Sequence, residues 1–154
     1  MAHFAELDEN NNVLRVCVVD DNIETSDGPL GENDMHVDGE TWCTEFFGGT
    51  WKQTSYTNSF RKHFASHNLY YDNTKDKFMV KQPYASWSLD SNDDWQAPIP
   101  HPTTDTIGEW PIFAIWYEED QKWLGHWMNP TVEESISLGY IWDEVNLQWT
   151  QEEE

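Results

Sequence analysis

Short runs in which apolar and polar residues alternate open the chain. Residues 4–7 alternate, residues 8–12 form a polar turn, and residues 13–19 are a run rich in β-branched side chains bounded by Asn and Asp. Runs of this kind favour strands. The pattern therefore predicts a β-hairpin over residues 3–19, with the second run as a central strand.

The next segments predict a loop, a helical turn and a strand. Residues 20–40 hold eight acids, three glycines and no base, which favours an exposed loop. Residues 41–47 can form a helical turn that ends at Gly48 and Gly49, since glycine takes left-handed backbone angles without strain. Alternation returns in residues 50–56 and predicts a strand.

A degenerate repeat runs through the second half of the chain. Each copy places two aromatic residues seven positions apart on either side of a polar, acidic turn. Two strands joined by a four- or five-residue turn would bring such rings together across a hairpin. The predicted pairs are Tyr71/Phe78, Trp116/Trp123 and Trp142/Trp149, with a looser copy at Trp87 and Trp95.

Proline-rich segments at 82–84 and 97–102 separate these copies and predict stiff, extended connections. Capping-box spacing at 131–134 predicts one further helical turn. The predicted fold is mainly β, with little helix: an N-terminal β-hairpin or sheet, followed by aromatic β-hairpin modules joined by proline-rich extended segments. We expect an N-terminal β domain over 1–102 and an aromatic hairpin extension over 103–154, packed together as one unit.

Charge is distributed unevenly along the chain. The formal net charge is −21, which argues against a nucleic-acid backbone as the partner. Residues 52–81 nevertheless hold six of the eight bases and only two acids. This basic segment has two interpretations: internal charge balance, or a face that docks on an acidic neighbour. Under the second, the predicted contact residues are Trp51, Lys52, Tyr56, Phe60, Arg61 and Lys62.

Catalytic and metal-binding motifs are missing from the sequence. It has no phosphate-binding loop, dinucleotide fingerprint, nucleophile elbow or paired-cysteine zinc signature. His63 and His67 have helical spacing but no further ligand nearby. Asp90, Asn92 and Asp94 are better explained as a hairpin turn than as a calcium loop, which needs a glycine and a distal Glu. We therefore predict no enzyme activity, no metal and no cofactor.

Two cysteines, Cys17 and Cys43, are too few for a disulfide framework, and reduced thiols are expected. The first residues lack the basic and apolar regions of a secretion signal. No apolar stretch approaches the ~20 residues of a membrane span. We expect neither secretion nor a membrane partner.

Several motifs in order resemble a family of short virion structural proteins from tailed phages of marine cyanobacteria and similar hosts. The resemblance covers roughly residues 1–102 and returns at 140–149. The motifs are MAHFAELDEN at 1–10, FGGTWKQTSY at 47–56, FRKHFA at 60–65, QPYASWSLD at 82–90, WQAPIP at 95–100 and YIWDE at 140–144. Residues 103–139 depart from the family pattern as an extra hairpin insertion, whose apolar run at 111–116 is either core or interface.

The resemblance implies a non-enzymatic component of a phage virion, made in the cytoplasm of the host bacterium. Its implied partners are other virion proteins, capsid or tail subunits, and neighbouring copies of the chain. A decoration or cement protein on the capsid exterior is the first expectation; a tail, baseplate or fibre-adaptor protein is the alternative. A different class is also open: a carbohydrate-binding module that contacts the host surface through exposed tryptophans.

Overall fold

The computed structural model describes residues 1–26, 28–30, 37–128 and 135–151. It confirms a mainly β fold, because strands far exceed the one 11-residue helix in the described part of the chain. Within that part, no helix is long and apolar enough to cross a bilayer. The predicted helical turn at 131–134 lies outside the described residues.

Two compact units make up the chain, Met1–Lys81 and Gln82–Glu154. The predicted boundary after residue 102 is wrong. Trp87, Ala97 and Ile99 pack against tryptophans of the C-terminal sheet, so the proline-rich segments belong to the second unit.

A three-stranded antiparallel sheet organises the first unit. Its order is β2-β1-β5, and its strands are β1 (Ala2–Leu7), β2 (Val13–Val19) and β5 (Thr50–Thr54). The predicted N-terminal hairpin and the strand after residue 50 are confirmed. The central strand is β1 rather than β2, because β5 pairs with the other side of β1.

Both faces of this sheet are covered. Helix α1 (Val37–Phe47) places Cys43 in one cluster with Phe4 and Trp51. On the other face, the hairpin of β6 (Leu69–Asp72) and β7 (Lys77–Val80) packs against Ala5 and Leu7. The unit therefore has three layers, with helix, sheet and hairpin in turn.

Close approach of α1 to the sheet requires a glycine at position 39. A Cβ there would lie 2.5 Å from Cζ of Phe4 and 2.7 Å from Cδ2 of Leu30. The prediction of an exposed loop over 20–40 holds for residues 20, 22, 24 and 26, which are exposed, and is wrong at Leu30 and from Val37 onward, where α1 has begun. Leu30 is buried, and a short hairpin, β3 (Glu24–Thr25) and β4 (Gly28–Pro29), precedes the helix.

Side chains of Glu40 and Arg61 close the outer edge of β5. Oε1 of Glu40 accepts the backbone N–H of Gln53 at 2.9 Å, and Nη1 of Arg61 donates to the carbonyl of Gln53 at 2.9 Å. The two side chains also pair with each other at 2.6 Å. They occupy the position of a neighbouring strand, which protects an otherwise open edge.

Arg61 also connects this edge to the β6–β7 hairpin. Its Nε donates to Asp76 at 2.8 Å, and its guanidinium lies 5.3 Å from the ring of Tyr71. The hydroxyl of Tyr71 donates to the same Asp76 carboxylate. We call Glu40, Gln53, Arg61 and Asp76 the edge clamp, since together they tie the helix to the hairpin around the sheet.

Eight strands are described in the second unit. They are β8 (Ser88–Leu89), β9 (Trp95–Gln96), β10 (Thr106–Ile107), β11 (Trp110–Pro111), β12 (Phe113–Tyr117), β13 (Lys122–Met128), β14 (Ser135–Asp143) and β15 (Gln148–Gln151). The last four form one antiparallel sheet in chain order. The apolar run at 111–116 supplies Ile112 and Trp116 to the interior.

The predicted aromatic pairs face each other across hairpins. Tyr71 lies opposite Phe78, Trp116 opposite Trp123, and Trp142 opposite Trp149, with ring centroids 5.2, 5.1 and 5.3 Å apart. The fourth pair is wrong, because Leu89 lies opposite Trp95. Trp87 instead contacts Trp116 and Trp123.

Acidic residues in the hairpin turns accept hydrogen bonds from the neighbouring indole rings. Nε1 of Trp116 donates to Glu118 at 2.7 Å, and Nε1 of Trp142 donates to Glu144 at 2.8 Å. Asp143 accepts two backbone N–H groups of its own turn. The carboxylates between the aromatics therefore satisfy indole and backbone donors that a hairpin leaves unpaired.

Replacing Arg61 by Met should destabilise the first unit by about 3–5 kcal/mol, because the buried Glu40 carboxylate loses its nearest cation and keeps only Lys52, at 3.3 Å. Urea unfolding followed by circular dichroism measures the change. Arg15→Met is the matched control: the Arg15 side chain is 59% exposed in its pair with Glu6, so its loss should cost about 0–1 kcal/mol. Equal losses in the two variants would contradict a structural role for the edge clamp.

The edge clamp should also make stability depend on pH through Asp76. Burial raises the pKa of this carboxyl, but the Tyr71 hydroxyl and the charge of Arg61 outweigh burial, so the pKa lies below its usual range. A lowered pKa adds stability above the unfolded value of about 3.9, and that stability is lost as the pH falls through the folded value. Asp76→Asn should therefore lower stability at pH 7, with a difference from wild type that shrinks below about pH 4. Urea titrations across this range test it, and a difference that stays constant would exclude it.

Candidate functional site

Three aromatic side chains occupy the C-terminal half of α1: Trp42, Phe46 and Phe47, which we call the aromatic face. Trp42 and Phe46 are one helical turn apart, and their rings stack at 4.9 Å with 10° between the planes. Phe47 meets Phe46 edge to face at 4.7 Å. Phe46 is 68% exposed and Phe47 is 43% exposed, so this cluster presents apolar rings to water.

Glycines end the helix directly after the aromatic face. Gly48 and Gly49 have φ of 73° and 78°, in the left-handed region that residues with a side chain seldom adopt. The backbone N–H of Gly48 donates to the carbonyl of Thr44 at 2.9 Å. The predicted stop is therefore confirmed, although α1 begins earlier than the predicted turn, at Val37.

The sheet supports the aromatic face from below. The ring of Phe47 lies 5.3 Å from that of Trp51. The guanidinium of Arg15 lies 5.9 Å from the Phe47 ring and 5.5 Å from the Trp51 ring. These contacts hold Phe47 in place, which lowers the ordering cost of binding a partner.

On the helix itself the charge beside the aromatic face is negative, whereas Arg15 of β2 lies against Phe47 on the sheet side. The last turn of α1 has no basic residue, so the partial negative charge of its terminal carbonyls stays without a cation from the helix. Glu45 is exposed beside the rings. A complementary partner would offer an apolar pocket flanked by Lys or Arg, whose cations also bind well over aromatic rings.

Three of the six contact residues predicted from the basic segment serve the fold instead. Trp51 is 2% exposed, and Arg61 belongs to the edge clamp with a side chain that is 7% exposed. Both predictions are corrected, because neither side chain can reach a partner. Nζ of Lys52 lies 3.3 Å from Glu40 and 5.4 Å from the ring of Tyr71. For Arg61 and Lys52, internal charge balance is therefore a better interpretation than docking on an acidic neighbour.

The other three predicted residues lie nearer the surface. Tyr56 is 70% exposed and stacks on His3 at 5.4 Å. Tyr56, His3 and Phe60 line a cleft of about 430 Å³. Lys62 is half-buried and its backbone bridges to Phe78.

Polar groups of this cleft bind one another. The hydroxyl of Ser55 lies 2.8 Å from that of Ser59 and 3.3 Å from that of Thr57. Burial, followed by the charge of the chain's N-terminus, lowers the pKa of His3, which favours its neutral form at pH 7. The cleft is therefore a weaker candidate than the aromatic face.

The two sequence patterns that could suggest metal binding, His63/His67 and Asp90/Asn92/Asp94, do not form a set of metal ligands in the structure. Residues 59–68 contain no helix, so His63 and His67 do not have helical geometry. Oδ1 of Asp90 accepts the backbone N–H groups of Asn92 and Asp94 at 2.8 and 3.0 Å, which confirms the predicted turn. Among the described residues, no three His, Cys, Asp or Glu side chains are grouped so that they could hold a metal.

The second unit exposes one tryptophan that could stack on a ligand. Trp110 is 65% exposed, and its ring lies 6.3 Å from that of Trp127. An exposed indole can cover the apolar face of a sugar. Trp110 is therefore the residue to which the carbohydrate-binding alternative applies.

Sequence reasoning missed the aromatic face, although its signal was present. Residues 41–47 were predicted to be helical, and Trp42 and Phe46 are four positions apart, so they share one side of that helix. The pattern alone did not show which side of α1 meets the sheet. Cys43, which is fully buried, lies on that inner side.

Comparisons of the chain with protein-family models, with curated proteins and with solved structures give no match.

Proposed function

We propose that this protein is a non-enzymatic structural component of a tailed-phage virion, a decoration protein that docks on the capsid exterior through the aromatic face. The observation that carries the proposal is the exposure of Phe46 and Phe47 on a helix whose position is fixed by buried contacts. Burying one such ring contributes about 1.5–3 kcal/mol. Contiguous exposed apolar surface of this kind marks interaction sites.

Net charge supports a partner other than a second copy at this surface. Each chain carries −21, so two aromatic faces meeting at Glu45 and the helix ends would bring like charges together. A capsid subunit with basic side chains around an apolar pocket meets both requirements. The same charge keeps neighbouring copies apart on a shared particle surface.

Phe46→Ala should weaken retention of the protein on particles about 10- to 100-fold, the equivalent of one buried ring. Trp110→Ala is the matched control, because its ring is almost equally exposed, 65% against 68% for Phe46. Purified variants would be added to particles that lack the chain, and bound protein quantified by mass spectrometry after sedimentation. The Trp110 variant should bind like wild type, and loss of binding by that variant alone would reject the aromatic face as the docking surface.

Copy number separates the two placements in the virion. A decoration protein is present once or more per capsid subunit, so quantitative mass spectrometry of purified particles should find hundreds of copies. A tail, baseplate or fibre-adaptor protein would be present in a handful.

A second candidate function, carbohydrate binding, is favoured by the exposure of Trp110 beside Trp127. If Trp110 is a sugar platform, isothermal titration with purified host-surface polysaccharide should show binding that Trp110→Ala weakens by about 1–3 kcal/mol and Phe46→Ala leaves unchanged. For particle docking the expectation is reversed: Phe46→Ala should weaken binding and Trp110→Ala should not. Polysaccharide binding that is absent, or equal in both variants, would exclude Trp110 as a sugar site.

A further inference from the structure

We infer that Cys17 and Cys43 form a site of reversible oxidation, which closes a disulfide between β2 and α1 when the folded protein meets a peroxide. Cys17 lies opposite the central-strand residue Phe4 in the register of β1 and β2. Cys43 lies on the inner side of α1, in the cluster that contains Phe4. Both thiols are free, and the half-buried Cys17 packs against that same cluster.

The two cysteines differ in a way that suits a nucleophile and a resolving thiol. Cys17 is half-buried on an edge strand, whereas Cys43 is fully buried. The hydrogen bond that the Cys43 thiol donates, helped by the charge of Arg15, outweighs burial and lowers the pKa of Cys17. The same hydrogen bond and burial raise the pKa of Cys43. Since the thiolate is the reactive form, Cys17 reacts first.

The oxidation balances with hydrogen peroxide as the two-electron oxidant. The Cys17 thiolate attacks one peroxide oxygen and the O–O bond breaks, which gives a sulfenic acid on Cys17 and hydroxide that takes a proton to become water. The sulfur of Cys43 then attacks the sulfur of Cys17. The S–O bond breaks, the S–S bond forms, and hydroxide leaves with the proton of Cys43 as a second water.

A disulfide at this position would fasten α1 at both edges of the sheet. The sheet order is β2-β1-β5. Glu40 already ties α1 to β5 through the edge clamp, and the Cys17–Cys43 bond would tie it to β2. The aromatic face lies on the same helix, so oxidation would stiffen the element that carries it.

The test treats the folded full-length chain with hydrogen peroxide and measures its intact mass. Wild type should lose two hydrogen atoms per chain, stay monomeric on non-reducing electrophoresis, and return to its starting mass with dithiothreitol. Its melting temperature should rise by on the order of 10 °C, because the bond restricts the unfolded chain. Gain of oxygen without loss of hydrogen, or disulfide-linked dimers, would overturn the inference.

Single variants test the order of the two steps. In Cys43→Ala, peroxide should leave a sulfenic acid on Cys17 that dimedone captures, since no resolving thiol remains. In Cys17→Ala, the buried Cys43 should stay unlabelled over the same time. Circular dichroism checks that both variants fold. Faster labelling of Cys43 than of Cys17 would refute the assigned roles, and the wild-type mass measurement decides on the disulfide without any variant.

Discussion

At the outer edge of β5, a carboxylate from the helix and a guanidinium from the segment before β6 meet on the backbone of one residue, Gln53. Both ions are almost excluded from water, so each depends on the other and on the peptide groups between them. Because Glu40 comes from one layer and Arg61 from the opposite layer, the pair keeps both against the sheet. It also occupies hydrogen-bonding groups to which a foreign strand could otherwise add.

The position of the aromatic face follows from that constraint. Glu40 fixes the start of α1 at the β5 edge, Gly39 lets its backbone approach Phe4, and Cys43 completes the buried side. With the inner side of the helix determined in this way, Trp42 lies partly buried against that core, and Phe46 is left on the solvent side. The exposure of Phe46 is thus a consequence of how the helix is attached.

Sequence patterns correctly predicted the features that depend only on neighbouring residues, such as the pairing of aromatic rings across a hairpin. Aromatic residues seven positions apart met across four-residue loops, as at Trp142 and Trp149, because hairpin register follows from loop length. Trp87 did not meet Trp95, since the Asp90 turn places Leu89 in that register. The role of Arg61 could not be predicted, because its partners Glu40 and Asp76 are distant in sequence and adjacent only after folding. The central position of β1 could not be predicted either, because it depends on the pairing of β1 with β5, which is more than 40 residues later in the chain.

The hairpins of Trp116/Trp123 and Trp142/Trp149 each carry a ring pair and a turn carboxylate that accepts the first indole N–H, while the second indole donates to a backbone carbonyl outside the hairpin. The four-stranded sheet is built from such hairpins in chain order and ends at β15. A tandem duplication of the β14–β15 segment would therefore extend the sheet at that end, without opening an existing core. The second unit can in this way change in length during evolution by whole hairpins, while the helix, the sheet and the buried ion pair of the first unit keep their sequence.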